Sequence, residues 1–80
     1  QLQSAQKELA YLQKSDAPAA ALGEAYRQLA LAYARRGRLD EAIRQAELGL
    51  AAMKEPLADV DRVLAGRLNR ALGRYRYQQG

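Results

Sequence analysis

The chain is predicted to be all-α, a row of antiparallel helical hairpins, and three observations predict it. Its apolar content, 49% of 80 residues, is carried mainly by Ala and Leu, which are strong helix formers, and it includes five Tyr but no Phe or Trp. Apolar residues recur at steps of three and four within separate segments, the spacing of a helix face. Brief punctuation containing Ser, Asp, Gly or Pro divides these segments, and connections that short bring consecutive helices back alongside one another.

The first helix is predicted over Leu2 to Lys14, where Leu2, Ala5, Leu9 and Leu12 form one face. Ser15, Asp16 and Pro18 stop it and start the next, since Ser and Asp cap free amides and Pro tolerates a first-turn position. The second runs from Ala19 to Arg36 and ends at Gly37, the residue that most easily takes the left-handed conformation of a helix C-terminus. The third, Leu39 to Lys54, carries Asp40 and Glu41 in its first turn, where negative charge complements the helix dipole. Pro56 opens the fourth, which runs to Gln78 with a stripe of Val60, Leu64, Leu68, Ala71 and Tyr75. Gly66 and Gly73 inside that helix are expected where another helix approaches closely.

Tyr26, Leu29, Ala30, Tyr33, Gly37, Leu39, Ala42 and Ala46 follow one another in an order that resembles the tetratricopeptide repeat. Tyr26 stands where Trp is common, Ala46 where a larger aromatic is frequent and Gly49 where Ala is usual; Pro56 arrives late. The 42 residues from Tyr33 to Tyr75, against roughly 34 in the standard repeat, are similar to the longer-linker, kinesin-light-chain-type variety. The resemblance implies antiparallel hairpins stacked as a solenoid. Residues 1–15 would be a half repeat, 23–56 a complete repeat, and 57–80 the opening helix of another. Placing Tyr75 on the packing face is preferred over a register one residue away, which would bring Arg76 near the core without a partner.

The net charge of +4 is unevenly placed. Residues 1–61 hold eight Lys or Arg and all nine acids, whereas residues 62–80 hold Arg62, Arg67, Arg70, Arg74 and Arg76 and no acid. Catalysis has little to work with, because there is no His or Cys and neither Ser4 nor Ser15 has a base at a recognisable spacing. Asp59 and Asp61, two positions apart on a helix, diverge and read as N-terminal helix charges. Without Cys, neither a disulfide framework nor a thiolate metal site is available, and no cofactor is expected. No apolar run approaches the roughly 20 residues of a membrane span. A soluble, cytoplasmic protein is expected, cut from a longer chain, with Ala and Arg richness pointing to a bacterial, GC-rich source.

In tetratricopeptide arrays the first helices of successive repeats line a concave surface, and residues flanking their packing stripe meet an extended or helical peptide. By that resemblance the flanking positions are Glu24, Arg27, Gln28, Leu31 and Arg35 on the second helix. On the fourth they are Asn69, Arg70, Gly73, Arg76 and Tyr77, with Arg67 and Arg74 in the shifted register. Arg27, Leu31, Arg35, Arg70, Arg74 and Tyr77 are therefore the candidate partner-binding residues, expected to hold acidic side chains or a terminal carboxylate. The function expected is a protein-protein interaction scaffold. Two alternatives come from other classes: self-association through exposed end helices, and nucleic-acid contact through the Arg-rich last helix.

Overall fold

The structure, a computed structural model, describes residues 2–53 and 59–80, with Val60 placed by its backbone alone. Among the described residues there are four α-helices and no strand: α1 (Leu2–Lys14), α2 (Ala19–Arg35), α3 (Leu39–Ala52) and α4 (Asp59–Gln79). The helix α1 has the predicted bounds, and α2 stops one residue early. The third helix ends at Ala52 because Met53 is already extended, at φ −97° and ψ 108°. Lys54 and the expected helix-opening Pro56 lie outside the described residues. None of the described helices is long and apolar enough to cross a membrane.

Both described turns show how a helix end consumes its free carbonyls. At the end of α2 the Arg38 amide donates to the Tyr33 carbonyl and the Gly37 amide to that of Ala34, each at 3.0 Å, with Gly37 at φ 77°. This is a Schellman turn. The apolar contact that usually accompanies it is replaced by the Arg38 guanidinium, 5.1 Å from the centre of the Tyr33 ring. At the end of α1 the left-handed position is taken by Asp16, at φ 56°, and the Ala17 amide reaches back to the Leu12 carbonyl at 3.3 Å. Ser15 acts backwards, not forwards as expected: its Oγ donates to the Tyr11 carbonyl at 2.8 Å and serves α1. The N-cap of α2 is Pro18, with no side-chain capping bond.

The direction of each helix follows from which ends meet. Gln6 and Gln13 of α1 donate to the hydroxyls of Tyr33 and Tyr26 at 3.2 and 3.1 Å, so α1 runs antiparallel to α2. Arg38 sits on Tyr33 at the turn while Gly49 faces Tyr26 at the other end, which makes α2 and α3 antiparallel. Glu47 meets Arg76 and Asp40 meets Gln79, so α4 reverses again. As a result α2 and α4 lie side by side and parallel, Gly23 near Leu64 at one end and Leu31 near Tyr75 at the other. Among the described residues α1 touches α2 alone. The slab measures 33 × 25 × 14 Å.

Its core lies where α3 sits across α2 and α4. Ala42, Ala46 and Leu68 have no exposed surface, and Leu29, Ala30, Tyr33, Leu64, Leu72 and Tyr75 close around them. A buried Leu of this kind contributes about 1.5–3 kcal/mol. Tyr75 is buried and Arg76 exposed, the preferred register; Tyr26 is half-buried. The expected close approaches at Gly66 and Gly73 are absent among the described residues, where a Cβ would meet nothing within 4 Å. They fall at Gly49 and Gly23 instead. A Cβ at Gly49 would lie 3.0 Å from the Tyr26 Cβ and 3.3 Å from the Leu68 methyls; one at Gly23 would lie 3.0 Å from the Met53 sulfur.

Gly→Ala substitutions should therefore separate by sign. Gly66→Ala and Gly73→Ala should each stabilise by about 0.5–1 kcal/mol through helix propensity. Gly49→Ala should destabilise by about 1–3 kcal/mol despite the same propensity gain, because the obstructing Tyr26 Cβ cannot swing aside. Thermal unfolding followed by circular dichroism reads all three; equal shifts would contradict the packing described. In the same assay Asp16→Gly should stabilise by about 1 kcal/mol and Gly37→Ala destabilise by a similar amount, as both positions are left-handed.

Candidate functional site

The parallel placement of α2 and α4 leaves a cleft of about 220 Å³ between their outer faces, lined by Arg27, Leu31, Arg67, Arg70, Ala71, Arg74 and Tyr75. Helix geometry alone builds the cationic wall. Arg67, Arg70 and Arg74 recur at steps of three and four, so they stand over one another along one side of α4. Leu68 and Leu72 fasten the helix in the core, and Tyr75 lies at the border between core and cleft. Four of the six predicted partner-binding residues, Arg27, Leu31, Arg70 and Arg74, are thus brought together.

The remaining two are elsewhere. Arg35 lines a neighbouring cleft of about 360 Å³ between α1 and α2, with Ser4, Glu8, Gln28 and, shared with the first cleft, Leu31. Tyr77 is 88% exposed and lines neither cleft. Arg76, a flanking position by the resemblance, turns to α3 and donates to the Glu47 carboxylate at 2.7 Å. Among the groove positions Arg67, like Arg74, comes only from the shifted register, although the acid-free run from Arg62 to Arg76 marks both as part of the same charged face.

The charges on the two walls differ in kind. Arg27 donates through Nε to Glu24 Oε1 and through Nη2 to Glu24 Oε2, each at 2.8 Å. Gln28 Nε2 donates to Glu24 Oε2, also at 2.8 Å. The α2 wall is consequently close to neutral. Among the described residues no carboxylate lies within 4.0 Å of the guanidinium nitrogens of Arg67, Arg70 or Arg74. The spacing of Glu24 and Arg27, one helical turn apart, was a readable pairing signal.

The Arg27 hydrogen bonds hold the Glu24 carboxyl below the usual glutamate range, against the opposing effect of partial burial, and Gln28 and the positive charge of Arg67 add to the lowering. Glu24 in turn raises the Arg27 guanidinium. A carboxyl whose value is lower folded than unfolded stabilises fully above its unfolded value and loses that contribution as pH falls through the folded one. With the Glu24 side chain 43% exposed, solvent keeps the effect small. In a carbon-detected NMR titration the Glu24 carboxyl should have its midpoint below that of a glutamate in an unfolded peptide, and Arg27→Gln should move it upward. Identical midpoints in the two proteins would show that the pair is not formed in solution.

Comparison with protein-family models, with curated proteins and with solved structures finds no match to this chain.

Proposed function

We propose that the chain is a tetratricopeptide-like interaction module that receives an acidic peptide or partner helix in the groove between α2 and α4. The observation that carries this reading is the wall of Arg67, Arg70 and Arg74, none of which has a described carboxylate within 4.0 Å, beside the apolar Leu31 and Ala71. Cations aligned along a cleft gain most from an anionic ligand, since charge-assisted hydrogen bonds contribute about 1.5–3 kcal/mol each when water is displaced. The antiparallel pairs, with α2 and α4 parallel and α3 packed against both, support the repeat reading. The exposed apolar residues favour self-association less: Tyr11, Leu48, Val63 and Tyr77 come from three helices, and single exposed apolar side chains are ordinary on a monomer.

The test uses a short fluorescein-labelled peptide of alternating glutamate and serine, followed by fluorescence anisotropy. Arg70→Glu combined with Arg74→Glu should weaken its binding by about tenfold or more. The helical circular dichroism should stay unchanged, since both side chains are exposed. A lysine-for-glutamate version of the peptide should not bind. Equal affinity in wild type and variant would overturn the groove, and a single-stranded oligonucleotide binding more tightly than the peptide, with loss in the same variant, would replace this reading with nucleic-acid binding.

A further inference from the structure

We propose that Glu24 is a specificity-determining residue of this groove: an internal carboxylate that occupies the Arg27 guanidinium and leaves the cations of α4 to choose the ligand. This inference rests on the groove reading above. Glu24 engages Arg27 through both of its oxygens, which uses one complete edge of the guanidinium fork. Gln28 fixes the same carboxylate from the next turn. Glu24 itself lines two adjoining clefts, the one that holds Arg35 and a third with Ala20, Val63, Leu64 and Arg67, so it stands near the α4 wall and acts on the groove through Arg27.

An acidic ligand entering the groove meets two unlike walls. On α4 it meets guanidiniums that no described carboxylate satisfies. On α2 it meets a guanidinium whose Nε–Nη2 edge is taken and whose charge is neutralised, so a second carboxylate either uses the remaining Nη1 edge beside the Glu24 charge or displaces Glu24 and leaves it facing like charge. The Arg27 side chain is only 28% exposed, so the exchange takes place partly out of water, where an abandoned carboxylate costs more. A ligand carboxylate therefore gains little from Arg27 while Glu24 is ionised. Glu24 also repels surplus negative charge from the α2 side, which favours ligands whose carboxylates all lie along α4.

The experiment is a double-mutant cycle at positions 24 and 27, read by anisotropy with the glutamate–serine peptide at 0.15 M salt, where screening reaches about 8 Å. Glu24→Gln, near-isosteric and of similar helix propensity, should tighten binding about threefold to tenfold. Arg27→Gln alone leaves the Glu24 carboxylate without its cation and should weaken binding about twofold to fivefold, and in the Glu24→Gln background the same substitution should erase the gain. Glu41→Gln, which removes one negative charge in α3, controls for net charge and should have little effect. A gain no larger than that of Glu41→Gln, or one that survives loss of Arg27, overturns the inference. If that occurs while Arg70→Glu with Arg74→Glu still weakens binding about tenfold or more, the groove reading stands without it; if the Arg70 and Arg74 reversals have no effect either, the groove reading falls too.

Discussion

The contact on which the rest depends is the close approach of α3 to its two neighbours at Gly49. There the Tyr26 Cβ arrives from α2 and the Leu68 methyls from α4, with no room for a Cβ between them. Ala42 and Ala46, both fully buried, continue the same small-residue track along α3. Small side chains let backbones come together, and the large ones opposite fill the space; Leu68 is the largest side chain with no exposed surface. Because α3 holds α2 and α4 at once, it sets their separation. The outer groove has the width it has because the inner contact is tight.

This coupling between core and surface explains why α4 can be so strongly basic. One side of the helix is committed to Leu64, Leu68, Leu72 and Tyr75, and burial there offsets the repulsion among exposed arginines on the other. Its pairings at the two ends differ. Arg76 is tied to Glu47 on α3, while Arg62 and Asp59, at 3.9 Å and both highly exposed, form a pair of little weight. The three arginines in between carry the local field. Charge left without a partner along a cleft lowers stability slightly and raises attraction for an anion.

Much of this fold was legible because local rules and packing agree. The helix α1 could be placed at about Leu2 to Lys14, as found, since its apolar steps and its Ser15 and Asp16 punctuation coincide. Gly37 announced a left-handed turn, and the structure places it at φ 77°. Glycines within helices were misjudged for a physical reason: sequence shows that a Cβ is missing but not which neighbour fills the space. Gly49 and Gly23 face other elements, while Gly66 and Gly73 face none of the described ones. The site was legible through the flanking positions that the tetratricopeptide resemblance implies, which gathered Arg27, Leu31 and Arg70, with Arg74 from the shifted register. Arg76 escaped that logic, because a side chain at the border of two faces goes to whichever neighbour offers a carboxylate, and only the placement of Glu47 decides it.

A slab only 14 Å deep along its thinnest axis has little interior, so ligand binding and stability cannot be independent. An occupant of the groove would touch α2 and α4 together, the pair that α3 bridges from the other side. It would act as a second clamp on the same spacing, and its binding free energy would add to the folding free energy by mass action. The first helix takes no part in that clamp, since among the described residues it touches α2 alone and reaches the core mainly through Leu9. Its two Gln-to-Tyr hydrogen bonds fasten it to Tyr26 and Tyr33, the residues that also meet the Gly49 contact and the Arg38 stack. Loosening α1 would thus be felt in the hairpin through those rings, and α2 is the element through which support from one side and charge on the other communicate.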